Sequence, residues 1–528
     1  MMRWLPYMGI LLVYAVGLFV DIMEIDAAQY ASMSLEMLTS GNYLEVFNRA
    51  KDYLDKPPFL FWVSALSMKI FGIGTWQYKL PSVLFSLLGI LSTYQLGKRL
   101  YGTAVGRSAS LILGSSFAML LINNDIKTDT VLVSSIVFSM WMFVSYLQTH
   151  RWIYLIGGAV GIGISLLTKG PIGIMLPALA IGGHLILKRK MQRLFDSRFL
   201  VAIAIIALLL LPMCLGLYQQ FGTDGLKFFF WTQSFGRITG QSNWQNDTSI
   251  FFFSHVFLWS FLPWTLLAVV AIGKRFVCFG ADLKNGSSEF YTLSGIVVVS
   301  LALSLSRFKL PHYIFIVFPL VAIVTAQYIH QLKRHAIWAW FQLILSCAAI
   351  LLTLIVLLYC FPEGGYTLPM VLLVGLVMVI MTFFMLYRHE QIVFPPFIAF
   401  MVVGLAMNGH FYPQLLKYQA NSMVGKWVTE REIEENRFIS FSTGGHALDF
   451  YSKRIVPWKR NVSEAMDSIE KGSIVYASKE RYNELLNKGA IPDSTLVFLN
   501  FRVQNLNAKF LIPTTRNEVV KQHFLLFY

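Results

Sequence analysis

Long apolar stretches alternate with short polar ones over the first 410 positions. About thirteen stretches stand out, at roughly 4–20, 82–97, 106–122, 129–147, 152–167, 171–187, 199–217, 250–273, 290–305, 311–329, 337–359, 367–386 and 393–409. An α-helix crosses a bilayer with about 20 apolar residues, within a range of roughly 17–25, so each stretch reads as a span. The apolar segment 58–72 is shorter and predicts an interfacial or re-entrant helix. From about Lys417 the pattern changes. Phe438-Ile-Ser-Phe441, Ser473-Ile-Val-Tyr476 and Ser494-Thr-Leu-Val-Phe498 read as buried strands, and Ala447–Lys453, Ser463–Lys471 and Lys479–Lys488 as helices between them. The pattern therefore predicts a polytopic α-helical membrane domain over 1–410 and a small α/β domain over 417–528.

Composition agrees with a membrane protein: 56% of residues are hydrophobic and 13% charged, against roughly a quarter charged in soluble chains. The net charge of +15 would point to nucleic acid in a soluble protein. Here no long basic run or nucleic-acid motif accompanies it, and basic loops set membrane topology. With the N-terminus in the cytoplasm, the loops holding Lys98-Arg99 and Arg107, Arg151, Lys188-Arg189-Lys190, Lys274-Arg275, Lys333-Arg334 and Arg388 all become cytoplasmic. The long loops 21–78 and 218–249 and the C-terminal domain then fall outside. The first span has no small-residue cleavage site and reads as an uncleaved helix. Cys214, Cys278, Cys347 and Cys360 show neither metal-ligand spacing nor a disulfide framework.

The same threading gathers the unusual charges on the outer face. Asp26 follows the first span, with Glu24 and Tyr30 beside it, and Asp129 opens the fourth span behind Lys127. A carboxylate at a helix start is favoured by the helix dipole; a charge at membrane depth is expensive and is usually paired or functional. Asp55-Lys56-Pro57-Pro58 ends the first long loop, and the prolines stiffen the backbone that presents Lys56. Lys169 sits in the break Thr168-Lys-Gly-Pro171. Arg237, among Phe228, Phe229, Phe230, Trp231 and Trp244, offers a planar fork for phosphate oxygens, and Arg307, Lys309 and Tyr313 add donors nearby. Several cations at one membrane face imply an anionic lipid substrate. The plain alternatives are solvated caps, snorkelling lysines, a structural turn at 168–171 and an aromatic interface belt.

Six strings carry a family resemblance: Asp26-Ala-Ala-Gln-Tyr30, Tyr53-Leu-Asp-Lys-Pro-Pro58, Lys127-Thr-Asp129, Leu167-Thr-Lys-Gly-Pro171, Phe261-Leu-Pro-Trp264 and Lys309-Leu-Pro-His-Tyr313. In this order the chain resembles the bacterial GT-C membrane glycosyltransferases that include the lipid A aminoarabinose transferase and the protein O-mannosyltransferases. The resemblance implies a polyprenyl-phosphate-linked sugar donor and a catalytic aspartate, which falls on Asp26, with Asp129 as the second carboxylate. It places Lys56, Arg237 and Tyr313, with Lys309, on the carrier phosphate, and Asp55, Tyr30, Lys127, Lys169 and Glu24 in support. Asp55 stands where the family carries a carboxylate near a divalent metal; Ser234 stands where a family histidine aligns, which removes one ligand. The implied acceptor is lipid A, or alternatively a protein or glycan, at the bacterial inner membrane; a monomer is the default expectation. A transporter would need ionisable residues at the bilayer midplane, and a lipid-binding scaffold would need no paired carboxylates.

Overall fold

The computed structural model describes residues 4–233, 236, 248–285, 288–362, 365 and 367–528. Arg237, Ser234 and Trp244 lie outside the described residues. Among those described, eight helices are long and apolar enough to cross a membrane, and a bent pair makes a ninth. The protein is multi-pass.

All thirteen apolar stretches are helical, but several differ from continuous spans. The first helix runs only Leu5–Gly17. The stretch expected at 106–122 is two helices, Thr103–Gly114 and Phe117–Asn124, bent by 50°. The stretch expected at 250–273 is likewise divided, into Phe252–Ser260 and Thr265–Asn285. The two breaks satisfy each other. Phe117 N–H donates to the Leu262 carbonyl at 3.0 Å, and Trp264 Nε1 donates to Ser115 Oγ at 3.1 Å. Irregular backbone at membrane depth is tolerated only where protein supplies such partners.

Small residues bring the central helices close. Thr128–Thr149 and Trp152–Lys169 form an antiparallel hairpin whose turn holds His150 at φ 53°. A Cβ on Gly161 would come within 2.9 Å of Ser139 Cβ, and one on Gly89 within 2.7 Å of Ser134 Oγ on the other flank. The hairpin therefore sets the start of one helix, Asp129, opposite the end of the other, Lys169.

The loop after the first span is ordered. Helix Asp26–Ser40 leads to a short hairpin of β1, Phe47–Asn48, and β2, Lys51–Asp52, and then to helix Phe59–Phe71, the interfacial segment read from the sequence. The last span continues through a π-turn at Met407–Phe411 into Tyr412–Leu416. The C-terminal region opens with helix Ala420–Glu430 and carries a five-stranded sheet of order β4-β3-β5-β7-β6. The strands are β3 Phe438–Phe441, β4 Trp458–Lys459, β5 Ile474–Ser478, β6 Ser494–Asn500 and β7 Lys521–Phe527. β3 pairs in parallel with β4 and β5, whereas β7 runs antiparallel between β5 and β6. The alternating α/β expectation is met on one side only. β6, expected as a buried strand, is a largely exposed edge, because β7 takes the interior position beside it. The helices expected there are shorter: His446–Tyr451, Val462–Met466 and Lys479–Asn487.

This domain packs on the end of the bundle that carries Asp26. Tyr451 accepts the Ile22 amide at 2.8 Å, and Lys426 pairs with Asp21 at 2.7 Å. Arg516 donates to the Cys360 carbonyl at 2.6 Å and lies over the rings of Phe361, Tyr418 and Phe510.

Candidate active site

The acidic and basic motifs meet at one end of the bundle. Lys127 Nζ lies 2.9 Å from Asp26 Oδ2 and 3.3 Å from Asp125 Oδ2. Lys169 Nζ lies 2.6 Å from Asp129 Oδ1, and His312 Nε2 3.5 Å from Asp129 Oδ2. Lys169 also sits 4.2 Å from the centre of the Tyr313 ring, a cation–π contact. His312 and Tyr313 come from the turn Pro311–Val317, which begins with a helix-starting proline. Lys169 ends its helix because Gly170 turns the chain at φ 78°. The break at 168–171 is thus both a turn and a source of the Asp129 counter-ion.

Exposure separates the two carboxylates. The Asp129 side chain is 2% exposed and that of Asp26 44%. Asp129 is a closed ion pair, whereas Asp26 is open to its surroundings. Burial alone would raise the Asp26 carboxyl, but the Lys127 ammonium, with His312 and Lys56 behind it, holds it below the usual carboxylate range. Burial disfavours the Lys127 charge as well, yet Asp125 and Asp26 push it above the ordinary lysine value. Asp125 is raised by its burial against the pull of Lys127. Asp26 is therefore an accessible, ionised carboxylate.

Lys56 lies beside the same cluster, paired with Asp55 at 2.5 Å. Gln233 donates to the Asp55 backbone carbonyl and ties this strip to the second long loop. Lys309 is buried and donates to the Thr248 carbonyl at 3.0 Å. Tyr30 is buried against Phe61 with ring centres 5.8 Å apart; burial pushes its phenol well above the ordinary value, so it stays a hydroxyl.

Glu24 turns elsewhere. Its carboxylate accepts from Asn421 Nδ2 at 2.9 Å and from the Ala447 amide at 3.3 Å, both in the C-terminal region. It is part of that contact rather than of the lysine–aspartate cluster. His312 and Asp125 complete the cluster and were not among the site residues read from the sequence. His312 lies inside a quoted string and Asp125 two residues before another, yet a lone histidine carries no spacing signal.

A divalent metal does not fit the described residues. No three His, Cys, Asp or Glu side chains among them are placed to hold one. Asp55, the expected ligand, is matched with Lys56, and Asp26 and Asp129 with Lys127 and Lys169.

An open carboxylate beside lysines thus lies at one end of a helical bundle capped by an α/β region. ArnT of Cupriavidus metallidurans, solved bound to undecaprenyl phosphate, matches with a TM-score of 0.74 at 18% identity, over 99% of this chain and 97% of that one. Residues 55–215 match the family model of the dolichyl-phosphate-mannose-protein mannosyltransferases. The chain is also similar to two undecaprenyl phosphate-alpha-4-amino-4-deoxy-L-arabinose arabinosyl transferases. That of Edwardsiella ictaluri is 28% identical over 58% of this chain, and one of Pseudomonas fluorescens 27% identical over 55%. These matches span 55% and 50% of the two relatives' own lengths. The fold is thus the GT-C fold seen in ArnT, and the sequence is similar to the arabinosyl transferases and, over 55–215, to the protein mannosyltransferase model.

Proposed function

We propose that this protein is an inverting glycosyltransferase that moves a sugar from a polyprenyl-phosphate carrier to lipid A at the outer face of the bacterial inner membrane. The observation that carries the reading is Asp26, an open carboxylate kept ionised by Lys127 beside the lysine-rich end of the bundle. The likeness to arabinosyl transferases using an undecaprenyl-phosphate sugar supports the donor class. The basic loops, facing the cytoplasm, support an extracytoplasmic cluster and C-terminal domain.

In the reaction the bond from the anomeric carbon to the carrier phosphate oxygen breaks, and the phosphate leaves with the electron pair. The acceptor oxygen bonds the same carbon from the opposite side. Lys56, with Arg237, Tyr313 and Lys309, stabilises the charge growing on the phosphate, and the sugar passes through an oxocarbenium-like state. A lipid A phosphate arrives ionised, so Asp26 then stabilises the oxocarbenium and orients the sugar. A hydroxyl acceptor would pass its proton to Asp26. Asp129 holds Lys169 in place.

The test is mass spectrometry of lipid A and of polyprenyl-linked sugars from cells with and without the gene. We expect a sugar-sized mass to disappear from lipid A while its carrier accumulates. Carrier accumulation with unchanged lipid A would move the acceptor to a protein or glycan, the reading that the mannosyltransferase match favours. No change in either pool would refute the transferase reading.

A further inference from the structure

The C-terminal domain contributes no side chain to the lysine–aspartate cluster, yet buried polar groups run from its sheet to the chain just before Asp26. The Tyr476 hydroxyl donates to Asn421 Oδ1 at 2.8 Å and lies 2.7 Å from His523 Nδ1. A phenol has one proton, and Asn421 receives it, so His523 Nδ1–H is the donor to Tyr476. Asn421 Nδ2 then donates to both Glu24 oxygens, at 2.9 and 3.1 Å. Tyr476, Asn421 and His523 are 0%, 6% and 9% exposed. Gln419 holds the backbone on either side: its Oε1 accepts the Glu24 amide at 2.9 Å, and its Nε2 donates to the Ile22 carbonyl at 2.8 Å.

A second grip holds the far end of helix Asp26–Ser40. Glu36, on that helix, accepts the amides of Arg49 and Ala50 at 2.9 and 2.7 Å. The Arg49 guanidinium pairs with the buried Asp449 carboxylate and donates to the Val456 carbonyl at 2.7 Å. The helix whose first residue is Asp26 is therefore held at its start and near its end by the same domain.

We propose that the C-terminal domain is a positioning part of the active site, with Asn421 acting through Glu24 to fix the Asp26 carboxylate. The inference rests on the reading of Asp26 as the reacting carboxylate. Surface cement between domains would sit at an exposed rim. These groups are buried, and they hold Ile22 and Glu24, in the turn that leads into the Asp26 helix. A misplacement of about 1 Å at a reacting group costs on the order of a hundredfold in rate, so such a device has a large effect to exert. Gly445 adds a steric fit, because a Cβ there would lie 2.5 Å from Glu24 Oε1 and 2.9 Å from Asn421 Nδ2.

The experiment uses the full-length chain in lipid nanodiscs with an undecaprenyl-phosphate-linked aminoarabinose donor and lipid A. Asn421→Ala, Tyr476→Phe and Gly445→Ala are compared by hydrogen exchange and by turnover. Tyr476→Phe deletes one oxygen, and Gly445→Ala removes no hydrogen-bonding group, so both keep the fold where Asn421→Ala fails to. We expect faster amide exchange confined to residues 22–30, and kcat lowered on the order of tenfold to a hundredfold with donor KM within about a factor of two. Unchanged exchange at 22–30, or faster exchange with wild-type kcat, overturns the proposal, as does a rise in KM alone. A wild-type chain that moves no aminoarabinose to lipid A overturns that donor and acceptor instead, and the exchange measurement still decides whether the domain holds the loop.

Discussion

At the scale of single residues, the two aspartates do different work because their surroundings differ. Asp26 is open and held ionised, so under the proposed mechanism Asp26→Asn removes the reacting charge while the fold persists. We expect kcat to fall by roughly 10²–10⁴-fold, the range of a positioned acid–base group, with the melting temperature unchanged, in a nanodisc transfer assay. Asp129 is a closed pair with Lys169. Asp129→Ala takes the carboxylate away from that buried ammonium, and breaking a buried ion pair costs about 3–5 kcal/mol; thermal unfolding should show the loss together with inactivity. Lys127→Met gives the pH test. The Lys127 charge holds Asp26 below its ordinary 3.8, so the acid limb of the rate profile lies below that pH. Without Lys127, burial acts unopposed by its largest counterweight and the limb moves to higher pH. A limb that stays in place would remove Lys127 from the control of Asp26. The residues of this cluster were legible as types and strings; which acid faced solvent was not, since the pairing of Asp129 depends on neighbours 40 and 183 positions away.

At the scale of elements, glycine and serine contacts decide how closely the helices approach. Gly216, in helix Phe199–Lys227, faces the first long loop, and a Cβ there would lie 2.0 Å from the Leu44 carbonyl oxygen. Backbone cannot swing aside as a long side chain does. We expect Gly216→Ala to destabilise by about 1–3 kcal/mol and to weaken donor use, because the loop it displaces continues to Lys56; thermal melting and donor KM check both. The bends at Ser115-Ser116 and at Phe261–Trp264 escaped the hydropathy pattern, which averages apolarity over a window and is blind to direction. Their mutual bonds, Phe117 to Leu262 and Trp264 to Ser115, form only once the two segments are adjacent. Likewise β7, beside the exposed β6, was missed because its pairing partners are brought together from distant positions.

At the scale of the whole molecule, the C-terminal domain and the Asp26 cluster share one end of the bundle, so both lie on one side of the membrane. An alkaline phosphatase fused after Tyr528 should be active outside the cytoplasm, and one fused after Lys190 inactive; the reverse pattern would invert the topology and place the chemistry in the cytoplasm. The sequence by itself determined that helices fill the first 410 positions, that 58–72 is a short helix, that the tail mixes helix and strand, and which strings bear charge, because periodicity and proline act locally. Only the tertiary structure decided that Lys127 serves Asp26, that Lys169 and His312 close over Asp129, and that Glu24 belongs to the tail. Those choices depend on helices packed through small residues and on hydrogen bonds joining positions up to about 400 apart, such as Asn421 to Glu24, and no window along the chain contains both partners.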